Sequence, residues 1–244
     1  MPVHSIAQWT LLLATALVAS TLAGVTGFGG AAVLLPVLVA VFGPREAVPI
    51  LTVAQLIGNG SRVWFNRREL DWGVIKWFAL GGVPTAFIGG MLFATAPLSA
   101  LTRLIGAFLL LMVVWRHIRS GPVWKPPQKS FAAIGAGFSF LSALVGSVGP
   151  IMAPLFLAYG LVKGAYIGTE ALATVIMHVT KLVAYRETAI LPGSDILTGL
   201  ALGPIMVLGS FVGKKIIERL PERVFILIIE IVMTTAGLLF LIRG

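Results

Sequence analysis

The chain has 244 residues, of which 58% are hydrophobic and 11% charged, with 28 Gly, 14 Pro and no Cys. A soluble domain carries about 45–50% apolar and about 25% charged residues. Too little charge is present to cover a water-facing surface, and the mean hydropathy of +1.00 agrees. Disorder, collagen and disulfide scaffolds are excluded by the apolar content, the lack of a three-residue glycine period and the absence of cysteine. The class that remains is an all-α polytopic membrane protein, with the lipid bilayer as its first partner. The net charge is +9, but no arginine-rich arm or basic–aromatic stripe carries it. It reads as the positive-inside bias of short loops, and nucleic acid is not an expected partner.

Ten apolar segments follow in chain order: 6–23, 30–42, 47–65, 74–94, 98–115, 131–148, 151–159, 165–185, 196–217 and 224–242. No Lys or Arg precedes the first, so it is expected to be a retained span and not a cleaved signal. The second ends at Gly43-Pro44-Arg45-Glu46 and the third at Asn66-Arg67-Arg68-Glu69. A polar stretch holding Pro122, Pro126 and Pro127 separates the fifth from the sixth.

That stretch divides the chain into a first repeat (1–119), a cytoplasmic linker (120–129) and a second repeat (130–244). Gly27-Phe28-Gly29-Gly30, with Pro36 after it, recurs as Gly146-Ser147-Val148-Gly149, with Pro154 after it. Pro84 and Gly89 recur as Pro204 and Gly209, 120 residues on, and Asn59, Arg62 and Arg67 recur as His178, Lys181 and Arg186, 119 residues on. Three blocks in one order at nearly one offset indicate an internal repeat. Five crossings per half make the repeats inverted, the usual build of secondary transporters.

Charge tests the crossings. With ten, one side collects Arg67, Arg68, Lys76, Arg116, Arg119, Lys125, Lys129, Lys163, Lys214, Lys215, Arg219 and Arg223, and the other only Arg45, Arg103, Arg186 and Arg243. Re-entrant second and seventh segments would make the split nearly even. The bias therefore selects ten crossings with both termini outside the cytoplasm.

The second and seventh segments, of about 13 and about 9 residues, reach only about 20 and about 14 Å at 1.5 Å per residue, against a hydrocarbon core of about 30 Å. Each completes a crossing only if the glycine-rich chain before it enters the membrane as irregular backbone, which needs protein or a water-filled cavity around it. Each short helix then starts inside the membrane with unpaired N–H groups and a positive dipole end. Two such ends form an anion cradle, with Gly27, Gly29, Gly30 and Gly149 as its backbone. The competing reading is that these glycines only allow close helix packing.

Polar residues fall on two helical faces. Thr52, Gln55, Asn59 and Arg62 share one in the third segment, and Glu170, Thr174, His178 and Lys181 share one in the eighth. Gln55, Asn59, Thr174 and His178 lie near the segment centres and are substrate-binding candidates. Arg62 and Lys181 lie further out, where attracting an anion and snorkelling to the interface are equally good readings. Glu170 and Glu230 are candidates for a coupling proton. Glu170 has Lys181 on its own face, and Glu230 has no partner on its segment and is equally suited to facing a second copy in a homodimer.

The doubled glycine break with its following proline, and the order of five segments, a basic linker and five more, resemble the TauE/SafE family of sulfite and organosulfur-anion exporters. The resemblance runs from about Leu11 to about Ile242. The second motif departs from the family form by lacking consecutive glycines. The resemblance implies export across the bacterial inner membrane of a small anion such as sulfite or a sulfonate like sulfoacetate. The expected function is a secondary anion transporter working by alternating access. No cofactor or metal is expected, and without Gly-x-x-x-x-Gly-Lys-Ser/Thr, ATP is not the direct energy source. The alternatives are an intramembrane enzyme, with Ser147 and His178 as its imaginable pair, and a passive anion channel.

Overall fold

The computed structural model describes residues 5–26, 30–118, 125–216, 231, 234–235 and 237–242. Their regular structure is entirely helical. The first half of the chain supplies α1 (Ile6–Thr26), α2 (Gly30–Phe42), α3 (Pro44–Phe65), α4 (Trp72–Thr95) and α5 (Leu98–Ile118). A short 3-10 turn, Gln128–Ser130, leads into α6 (Phe131–Val145), α7 (Gly149–Tyr159), α8 (Lys163–Glu187) and α9 (Gly193–Ile216). Most of the tenth segment lies outside the described residues, as do Gly27, Gly29 and Glu230.

Five of these helices are long and apolar enough to cross a membrane: α1, α4, α5, α8 and α9. Two shorter apolar helices, α2 and α7, have 13 and 11 residues. The polar face of α3 keeps its hydropathy low despite its 22 residues, and α6 has only 15. Lipid-facing character shows in the side chains left outside, among them Leu80 at 65% and Leu197 at 69% exposure. Exposed leucine on this scale is costly in water and costs nothing against acyl chains.

Three of the boundaries that differ from the hydropathy reading have a local reason. α6 stops at Val145, because Gly146 adopts φ 87° and its N–H bonds back to Ser142 O at 2.9 Å. Glycine is the residue that takes this left-handed conformation without a Cβ penalty. α7 starts at Gly149, two residues earlier than hydropathy suggests, with Pro150 in its first turn, where a missing N–H costs nothing. α3 likewise opens on Pro44 after Gly43 at φ 79°.

The helices pack in matched pairs. α4 lies along α6 and α1 along α9, while α3 and α8 meet centrally, α3 also touching α9 and α8 also touching α4. Small residues set the spacing. A Cβ at Gly24 would come within 2.7 Å of Ser210 O, tying α1 to α9, and one at Gly89 within 2.8 Å of Phe140 O, tying α4 to α6.

The connections collect at two ends. At one, Asp71 caps α4 by accepting from Val74 N at 3.0 Å, and its own N–H donates to Thr169 Oγ1 of α8 at 3.0 Å. Gln128 Nε2 donates to Tyr159 OH at 3.3 Å at the same end. At the other, the Arg45 guanidinium, at the start of α3, donates to Ala94 O at 2.6 Å and to Ala96 O, bridging to the α4–α5 turn. Ala189, Ile190 and Pro192 of the α8–α9 connection line the same recess as Arg45.

Candidate anion site

The start of α2, the start of α7, the ends of α1 and α6 and the polar faces of α3 and α8 converge on one cavity. Its lining includes Gly30, Gln55, Asn59 and Arg62 from the first half, and Ser147, Gly149, Glu170, Thr174 and His178 from the second. It encloses about 380 Å³ of atom-free space including its mouth. About 30 Å³ of this is open to the centre of a water molecule, room for roughly two waters.

Arg62 and Lys181 are both buried, at 6% and 0% exposure, and neither snorkels. Arg62 Nη1 donates to Ala23 O of α1 at 3.4 Å. Lys181 Nζ donates to Ser142 O at 3.3 Å, Ser142 Oγ at 3.2 Å and Gly146 O at 3.3 Å, at the end of α6. Ala23 and Ser142 are themselves 119 residues apart, the separation of Arg62 and Lys181. Each cation thus sits on the carbonyl end of the helix that precedes a glycine break. The last carbonyls of a helix lack intrahelical partners and carry the negative dipole end, so a buried cation is stabilised there.

Around Arg62 the network is denser. Its Nη2 donates to Asn59 Oδ1, and Asn59 Nδ2 donates to Gln55 O at 2.8 Å and Gln55 Oε1 at 3.3 Å. Glu170 Oε2 lies 3.9 Å from Arg62 Nη1, and Glu170 Oε1 accepts from Thr174 Oγ1 at 3.3 Å. Glu170 therefore faces Arg62 of α3, whereas Lys181, its neighbour on the shared helix face, is occupied by α6. Three buried polar atoms among the cavity side chains have no hydrogen-bond partner among the described residues: Gln55 Nε2, Glu170 Oε2 and His178 Nδ1.

The structure thus brings Gly30, Gln55, Asn59, Arg62, Gly149, Glu170, Thr174 and His178 to one cavity. Lys181 stands behind it, holding Ser142, which does line it. Gly30 also serves packing, since a Cβ there would come within 2.6 Å of Ala19 O. Ser147 and His178 both line the cavity, with no hydrogen bond between them among the described residues. Sequence reasoning missed Ser142. Its signal is its place one helical turn before the glycine break, 119 residues after Ala23.

Apolar spans around an internal polar cavity, with two undersized helices starting at it, define a polytopic membrane protein. The chain belongs to the sulfite exporter TauE/SafE family, which matches residues 12–240, nearly its whole length. No curated protein and no solved structure matches the chain significantly.

The network separates two roles. Asn59→Leu removes the acceptor of Arg62 and should lower stability by about 1.5–3 kcal/mol, the worth of a hydrogen bond to a charged group. His178→Leu leaves no described partner of Nδ1 unsatisfied and should stay within about 1 kcal/mol of the parent. Thermal unfolding in detergent checks both, and equal losses would contradict the assignment.

Proposed function

We propose that this protein is a secondary transporter exporting a small sulfur oxyanion, sulfite or an organosulfonate such as sulfoacetate. It works by alternating access at a site between two inverted repeats. The observation that carries this reading is the cavity itself. Two helix starts, Gly30 and Gly149, share it with unsatisfied Gln55 and His178 and with the Arg62 guanidinium. Helix N-termini and charge-assisted donors are what an oxyanion requires. Family membership supports anion transport.

The repeat reading, 1–119 against 130–244, draws support from the packing. Exchanging each helix for its counterpart in the other half turns the α1–α9 pair into the α6–α4 pair, and α3–α9 into α8–α4. The cation-to-carbonyl contacts exchange in the same way, Arg62 to Ala23 for Lys181 to Ser142. The ten-crossing topology is supported by the two ends. The end holding Asp71, Tyr159 and Gln128 carries Arg67, Arg68, Lys76, Lys125, Lys129 and Lys163, and the opposite end carries Arg45, Arg103 and Arg186. On the positive-inside rule the first end is cytoplasmic, and both termini lie outside, in a bacterial inner membrane. A C-terminal fusion to alkaline phosphatase should be active and a fluorescent-protein fusion dark. The reverse pattern would overturn the topology.

Alternating access separates this protein from a passive channel. Proteoliposomes loaded with unlabelled sulfite should transiently accumulate labelled sulfite from outside, because a carrier exchanges across one site. Equilibration without overshoot would identify a channel. Hydrolysis lost in Ser147→Ala, with no exchange in the parent, would identify an enzyme.

A further inference from the structure

An anion site built only from donors would not contain Glu170. This carboxylate lines the cavity, is 2% exposed, and leaves Oε2 without a hydrogen bond while Oε1 is held by Thr174. The Arg62 guanidinium approaches it to 3.9 Å, an ion pair short of hydrogen-bonding contact. Its counterpart in the other repeat, 119 residues earlier, is Leu51, so the repeat does not require an acid here.

Resting on the reading of the cavity as the anion site, the geometry points to Glu170 as a selector for oxyanions that carry a proton. The substrate class is the hydrogen-bearing monoanion, with hydrogen sulfite as the sulfur member. The ligand's O–H donates to Glu170 Oε2 while its bare oxygens accept from Gln55 Nε2 and the guanidinium of Arg62. An oxyanion with no proton turns a lone pair toward the carboxylate and is repelled. A site that hydrogen-bonds a ligand hydroxyl discriminates strongly against the analogue lacking it, because its buried acceptor is left unpaired.

Methylphosphonate and methanesulfonate test this with size held constant. Both are tetrahedral with one methyl group. Near neutral pH each is mainly a monoanion, and only the phosphonate carries a proton. Thermal stabilisation of the purified full-length protein reads their affinities by mass action, with sulfite as the reference ligand. Wild type should bind methylphosphonate more tightly by about tenfold or more, the worth of one charge-assisted hydrogen bond. Glu170→Gln, whose amide can donate to a bare oxygen, should abolish or invert that preference. Sulfite binding with both probes equal within about twofold in wild type, or an unchanged preference in Glu170→Gln, would overturn the selector and leave the anion site standing. Stabilisation by none of the three ligands would overturn the site itself. If Glu170→Gln does not insert, the wild-type comparison decides alone.

Discussion

The structure depends on the cost of ending a helix among buried groups. The carbonyl ends of α1 and α6 and the amide ends of α2 and α7 are short of partners within their own helices, although Ser142 O accepts from Gly146 N at 2.9 Å and Ile151 N donates to Val148 O at 3.1 Å. An unsatisfied polar group in hydrocarbon costs several kcal/mol. The carbonyl ends are satisfied from within, by Arg62 at Ala23 and by Lys181 at Ser142 and Gly146. The amide ends open on a cavity instead. Two buried cations and two helix N-termini with positive dipole ends thus lie at or beside one cavity, and on the proposed reading this is what suits it to a small anion.

The two halves answer the same problem with different chemistry. Arg62 donates to the Ala23 carbonyl of α1 and to Asn59, and it faces Glu170. Lys181 gives its ammonium to the end of α6. Asn59 stands where the other half has His178, and Gln55 where it has Thr174. The cavity is therefore lined by different side chains from the two halves, with Glu170 as an acid on one side. The α4–α6 and α1–α9 pairs, spaced by Gly89 and Gly24, hold the frame around the central α3 and α8.

Much of the fold was legible because lipid makes hydropathy nearly a direct record of helix position. The undersized α2 and α7 stood out because each has too few residues to span and follows a glycine break. The polar faces of α3 and α8 were legible from their three- and four-residue spacing. The partners of the cations were not. Distance from a segment centre leaves snorkelling open for Arg62 and Lys181, and only the hydrogen bonds from α3 to Ala23 and from α8 to Ser142 show a carbonyl end within reach of each. Glu170 paired across to α3 for the same reason: Lys181, the nearer cation in sequence, is engaged by Ser142 and Gly146. Spacing along one helix reports which residues share a face, and not what a second helix brings to it.

The central claim is that the substrate sits between the two broken helices. Selenite, a heavier hydrogen-bearing analogue of sulfite, locates it directly by anomalous diffraction from co-crystals. A selenium peak is expected in the cavity bounded by Gly30, Gln55, Asn59, Gly149 and His178, with an oxygen within hydrogen-bonding reach of Gln55 Nε2. Selenite bound outside this cavity, or a well-ordered cavity holding only water at saturating selenite, would contradict the account.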